Sequence, residues 1–305
     1  MIWLVSDGLD GERIDAAAAR MSGMSRSRIV DLLNEGKVLL DGVTVTRPST
    51  RVRIAQMLEV DTSEPQRIAT VRPQLADGLV VVHEDADLVV VDKPAGVAAH
   101  PSLGWEGPDV VSHLVAAGIR VSTSGAAERQ GIVSRLDVGT SGLMVVAKSE
   151  SAYSVLKQAF RDRSVDKQYL ALVQGHPDPL RGTIDAPIGR HPGHDWKFAV
   201  TSDGREAITH YETDEMMIAG TLLRVRLETG RTHQIRVHMA ALGHPCVGDP
   251  LYGGDPVLAQ RVGLDRQWLH AARLGFIHPG TGERVDFEVP PAPDLANALE
   301  ILRLA

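Results

Sequence analysis

Cysteine, aromatic side chains and long apolar runs are what this sequence has least of. A single cysteine, Cys246, stands in 305 residues. That excludes an internal disulfide and any zinc site built on a cysteine cluster, and it fits a reducing compartment. Aromatics make up 4%, so a core has to come from Val, Leu, Ile and Ala. No window approaches the roughly 20 apolar residues of a membrane span. The opening MIWLVSDGLDGER has neither the basic start nor the apolar length of a signal peptide. These absences predict a soluble, cytoplasmic chain with no membrane partner. There is no Rossmann glycine pattern and no P-loop, and His191 and His194 have no acidic or cysteine partner at ligand spacing. No metal and no cofactor are expected. Net positive charge is also lacking. A balance of −7 weighs mildly against a nucleic-acid partner, although RNA binding needs a local positive surface and not a positive total.

What is present suffices for a folded protein, with 43% hydrophobic residues. Residues 1–62 form a small module. GERIDAAAARM is helix-forming, and Ser25 opens a second helix with Ile29, Leu32 and Leu33 at helical spacing and Gly36 as its stop. KVLLDGVTV then places Asp41-Gly42 between apolar runs, a strong hairpin signal. Arg26, Arg28 and Lys37 are among the cations spread along it. Residues 63–78 mix proline and polar residues as a linker does, and residues 79–305 form the main body.

The body is organised around GIVSRLDVGTSGLMVVAK, residues 131–148. Ile132-Val133 and Leu143 to Ala147 are short enough to be buried strands, and the loop between them carries Arg135 and Asp137. Such a loop is a rigid mounting for a reactive side chain, though a plain hairpin turn also uses Asp and Gly. DKQYLALVQG reads as a strand, with Tyr169 a core residue by composition alone. Residues 176–214 read as loop-rich, because Gly, Pro and His interrupt every pattern. TLLRVRLET alternates as a half-buried strand does. In RTHQIRVHMAALG, Thr232 is placed to cap a helix that has His233 and Arg236 on one face. A cation so near a helix start opposes the dipole, which predicts a carboxylate partner for Arg236.

In sequence order, Asp92 to Ser102, the RLD-x-x-TSGL run, the K-x-Y-x-A-x-V strand around Tyr169, the GRTHQIRVHM segment and WLHAARLGF resemble the RluA/RluD family of RNA pseudouridine synthases. The first 62 residues resemble the S-four RNA-binding domain that accompanies such enzymes. The fold this implies is α+β: a mixed, mostly antiparallel sheet with flanking helices and a central cleft, preceded by the small helical and hairpin domain. The resemblance makes Asp137 the nucleophile, Arg236 its partner, and Tyr169 a face for the base with a hydroxyl for proton work. Arg135, Ser134 and His233 become substrate contacts, and Arg26, Arg28 and Lys37 contacts to RNA. Ser134 stands where the family usually has His, and Asp92 where it has Asn. The expected partner is RNA, large-subunit ribosomal in preference to transfer RNA, and the chain is expected to act as a monomer. A binder that merely kept the fold would be expected to lose Asp137, Tyr169 or Arg236 first, and all remain. A glycoside hydrolase would need a second carboxylate roughly 5–10 Å from the first, and the matched segments offer no obvious one.

Overall fold

The chain divides into two units, Met1–Arg67 and Ile68–Ala305, in a computed structural model that describes residues 1–62, 71–102, 104–125 and 129–304. The first eight residues of the expected linker lie outside the described residues. In the first unit, strand β1 (Ile2–Leu4) precedes helices α1 (Ile14–Ser22) and α2 (Arg26–Asn34). Strands β2 (Val38–Leu40), β3 (Val43–Thr44) and β4 (Met57–Val60) follow, giving the sheet order β1-β4-β2-β3. Ser25 caps α2 through a hydroxyl that accepts the Arg28 amide. Asp41 and Gly42 both take positive φ, which lets a two-residue hairpin follow the twist of its strands. Ala17 and Ala18 are small enough to bring α1 onto Ile29, Leu32 and Leu33, and Val38, Leu58 and Val60 complete this core.

The second unit opens with the hairpin β5 (Val80–Glu84) and β6 (Leu88–Lys93), then α3 (Val110–Ala116), β7 (Ser141–Ala147), α4 (Glu150–Arg161) and β8 (Asp166–Gln174). After it come β9 (Arg181–Asp185), β10 (Ile188–His191), β11 (His194–Val200), β12 (Ile208–Met217), β13 (Gly220–Leu227) and α5 (Gln234–Ala241). Helix α6 (Pro256–Arg261), strands β14 (Leu269–Ile277) and β15 (Arg284–Glu288), and helix α7 (Pro293–Arg303) finish it. Nine strands form one sheet in the order β5-β6-β7-β14-β8-β13-β12-β9, with β15 also on β14, while β10 and β11 make a separate hairpin. The expected mixed, mostly antiparallel sheet with flanking helices is borne out. Among the described strands only β7 and β14 pair in parallel. β7 is buried along its whole length, so its neighbour must also be apolar, and the LHAARLGFI run of β14 meets that need. Gly142 permits the approach: a Cβ there would lie 2.3 Å from the Ala271 carbonyl oxygen.

Three expectations fail locally. Residues 176–214 are richer in strand than expected and hold β9 to β11 and most of β12, because the interrupting Gly, Pro and His residues sit mainly in the turns and edges of short strands. Ile132-Val133 is not a strand; Ile132 makes one isolated bridge to Val146, since the chain bends at Gly131, whose φ is +72°. Ala76, assigned to the linker, is buried against Val89, Val91 and Leu114.

Asp85 staples two turns of this unit. Its carboxylate accepts from the amides of Asp87 and Leu88 at 2.7 and 2.9 Å, and from Nε2 of both His83 and His278 at 2.8 Å. His278 Nδ1 accepts the Gly280 and Thr281 amides, so its Nε2 carries the proton. The three side chains lie within ligand range of one another, but a protonated Nε2 has no lone pair for a metal. Burial pushes the Asp85 carboxyl up, and the N–H donors from His83, Leu88, Asp87 and His278 outweigh it and hold it below its ordinary value. A depressed native pKa stabilises above the unfolded value of about 3.9 and is lost as pH falls below it. Asp85→Ala is therefore expected to unfold at lower urea than wild type at pH 7, with the gap narrowing at pH 3.

Candidate active site

Lys93 ends β6 with no exposed surface, and its Nζ donates to the carbonyls of Pro94, Val97 and Val138 at 3.0, 2.8 and 3.3 Å. Three carbonyls suit the three N–H groups of an ammonium. Burial nevertheless lowers the Lys93 pKa to about 7, against the pull of the Asp137 charge. The Gly96 amide also donates to Val138, and the Thr140 amide donates to the Asp137 carbonyl. The loop bearing Asp137 is thus tied down at that residue and just after it.

Helix α5 approaches from the opposite wall. Its cap is His233, with φ 56°, and not Thr232. The expected cap fails because Gln234 secures the turn instead, its Oε1 accepting from the Arg231 amide and the Thr229 hydroxyl. Thr232 Oγ1 accepts from the Arg135 guanidinium across the cleft. Arg236 is buried and forked: Nε and Nη2 reach Asp249 at 2.7 and 2.9 Å, and Nη1 reaches Asp137 Oδ2 at 3.3 Å. Burial alone would lower the Arg236 pKa, but its bonds to Asp249 and the charges of Asp249 and Asp137 raise it, so the guanidinium stays charged. His233 Nε2 stands 3.9 Å from Asp137 Oδ1. Tyr169 lies on β8 between β13 and β14. Burial, then the Asp137 charge, push its hydroxyl pKa up, which keeps the proton on that oxygen.

Ser134, Arg135, Asp137, Tyr169 and His233 line one cleft of about 630 Å³, and Arg236 touches it through Asp137. His100 lines it too, with Nδ1 2.8 Å from the Pro101 carbonyl. Arg26, Arg28 and Lys37 belong to the first unit, where Arg26 pairs with Asp15 at 3.0 Å, Arg28 with Glu35 at 3.9 Å and Lys37 with Glu35 at 2.7 Å. Sequence reasoning missed Lys93, Asp249 and Tyr252. A lysine closing an apolar strand, and an Asp and a Tyr inside the glycine-flanked turn GDPLYGG, were the available signals.

The family described as RNA pseudouridylate synthase matches residues 87–241, and the S4 domain matches residues 12–58. An uncharacterized RNA pseudouridine synthase of Mycobacterium bovis is 58% identical, covering 98% of this chain and 97% of that protein. Ribosomal large subunit pseudouridine synthase D of Xanthomonas campestris pv. campestris is 42% identical, covering 98% and 92%. In three dimensions, human RNA pseudouridylate synthase domain containing 1 covers 77% of this chain and 90% of its own, at 28% identity and a TM-score of 0.58. With its sheet, its preceding S4 domain and these relatives taken together, the chain belongs to the RNA pseudouridine synthase family, isomerases that act on RNA.

Proposed function

We propose that this enzyme converts uridine to pseudouridine in large-subunit ribosomal RNA, with Asp137 as nucleophile, acting as a monomer that needs no metal. The observation that carries this is a carboxylate 3.3 Å from a buried, permanently charged arginine at a cleft whose lining is cationic. Arg129, Arg135, Lys157, Arg161, Arg163, Lys167 and Arg231 line it, against the carboxylates of Asp137 and Glu228. That local excess answers the net charge of −7 and suits a polyanion.

In this reading the uridine is flipped out of the RNA, at a cost of roughly a few kcal/mol, and Arg135 fills the space it leaves. The N1–C1′ bond breaks, the uracil turns, and a C5–C1′ bond forms; C5 gives up a proton and N1 takes one up. Asp137 supplies covalent catalysis. Tyr169, which keeps its proton, gives the ring a face and a donor. The assignment to ribosomal RNA is supported by relatives such as the Xanthomonas campestris protein named for the ribosomal large subunit. Mapping pseudouridines in total RNA with and without the gene tests it. Loss of one or more sites from large-subunit RNA is expected, and loss from transfer RNA alone would overturn the substrate.

The first unit is given the task of binding RNA. Deleting residues 1–62 is expected to raise KM and weaken RNA binding at physiological salt, with the rate in the saturated complex much less affected. An unchanged dissociation constant would remove that task.

A further inference from the structure

The turn from Gly248 to Gly254 touches both groups that face Asp137. Asp249 holds Arg236 by its fork. Tyr252 lies with its ring centroid 4.9 Å from the Arg236 guanidinium carbon and its hydroxyl 2.8 Å from His233 Nδ1. The turn is itself constrained. Asp249 Oδ1 accepts from the amides of Leu251 and Tyr252, and a Cβ on Gly248, whose φ is +76°, would lie 2.3 Å from the Arg266 carbonyl oxygen.

The hydrogen bonds around Tyr252 have a direction. The Phe198 amide donates to the Tyr252 hydroxyl oxygen at 3.2 Å. With that lone pair taken, His233 Nδ1 is the acceptor within reach of the hydroxyl proton among the described residues. An Nδ1 that accepts leaves Nε2 as the protonated nitrogen, and Nε2 is the atom that faces Asp137 at 3.9 Å. His233 is placed there by a left-handed backbone, φ 56°, that side-chain-bearing residues rarely adopt. The edges of Phe198 and Tyr252 flank its ring at 5.9 and 5.6 Å.

We propose that Tyr252 is a positioning residue: its hydroxyl holds His233 as the Nε2–H tautomer, so that this N–H is aimed at Asp137 and steadies the carboxylate whenever it regains its charge. The role rests on Asp137 being the nucleophile. Burial favours a neutral ring at His233, with Arg236 and Arg135 acting in the same sense and Asp137 and Asp249 against it. The gap of 3.9 Å closes to a hydrogen bond with a small side-chain movement, as happens when apo sites tighten on substrate.

The test joins nitrogen-15 NMR of the His233 ring to single-turnover kinetics on a target RNA in the full-length protein. In wild type, Nε2 is expected to carry the proton; a proton on Nδ1 would overturn the proposal without any variant. Tyr252→Phe keeps the ring beside Arg236 and removes only the hydroxyl. It is expected to mix the tautomers and slow the single-turnover rate about tenfold, the effect of one hydrogen bond, with RNA affinity within about twofold. In a His233→Gln background, where an amide N–H needs no tautomer, Tyr252→Phe is expected to have no further effect on the rate. An unchanged tautomer, an unchanged rate, or the same tenfold loss in the Gln background would each overturn it. Asp137→Asn separates the two ideas: activity surviving that change overturns the nucleophile and this role with it, while the tautomer result still reports on Tyr252 alone.

Discussion

Asp137→Asn is expected to lower single-turnover pseudouridine formation by about a thousandfold or more, the scale of removing a nucleophile, while the protein folds and binds RNA nearly as before. Size is conserved, and the amide oxygen can still accept from Arg236. The guanidinium does not lose its anchor, because Asp249 holds two of its nitrogens. The cleft's cations are untouched, so affinity measured by filter binding should stay within about twofold. Residual turnover within tenfold of wild type would take Asp137 out of the mechanism.

Arg236→Met is the second large effect, and it acts on stability and rate together. The Asp249 side chain has 0% exposure and that of Arg236 only 6%. Removing the arginine strands a buried carboxylate whose remaining donors, among the described residues, are the Leu251 and Tyr252 amides. Breaking a buried pair from one side costs roughly 3–5 kcal/mol, which urea unfolding would register as a marked fall in midpoint. Loss of the charge facing Asp137 should cost about a hundredfold or more in rate. Arg236→Lys should recover part of each at most, since an ammonium cannot make the fork. Adding Asp249→Asn to Arg236→Met removes the stranded charge and keeps an oxygen for the Leu251 and Tyr252 amides. The double variant is expected to regain stability but not activity. A double variant as unstable as the single one would mean that packing, not charge, sets the cost.

Much of the fold was legible because its signals are local. The Ser25 cap, the Asp41-Gly42 hairpin, the alternation of β13 and the strand β8 each depend on residues within a few positions of one another. Residues 176–214 were misread for the same reason. A scan for periodicity loses strands of four or five residues between turns rich in Gly and Pro, and it is cross-strand partners such as Asp185 with Ile208 that make them a sheet. His233 was legible as a helix-start residue, but the signs of a cap pointed to Thr232. The actual cap is decided by Gln234 folding back onto Thr229 and Arg231.

By itself the sequence determined the residue types at each motif, the places of α1, α2, α5 and the strands β2, β3, β7, β8 and β13, and an Asp137 that sits in a loop before a buried strand. Only the tertiary structure decided which of these residues meet. β14, near the end of the chain, inserts between β7 and β8, and Arg236 comes to Asp137 across 99 residues of sequence. Asp249 and Tyr252 acquire their place from that same closure. Propensity and periodicity report only on neighbours along the chain. A contact between distant segments is set by the burial of whole elements against one another, and single side chains follow from it.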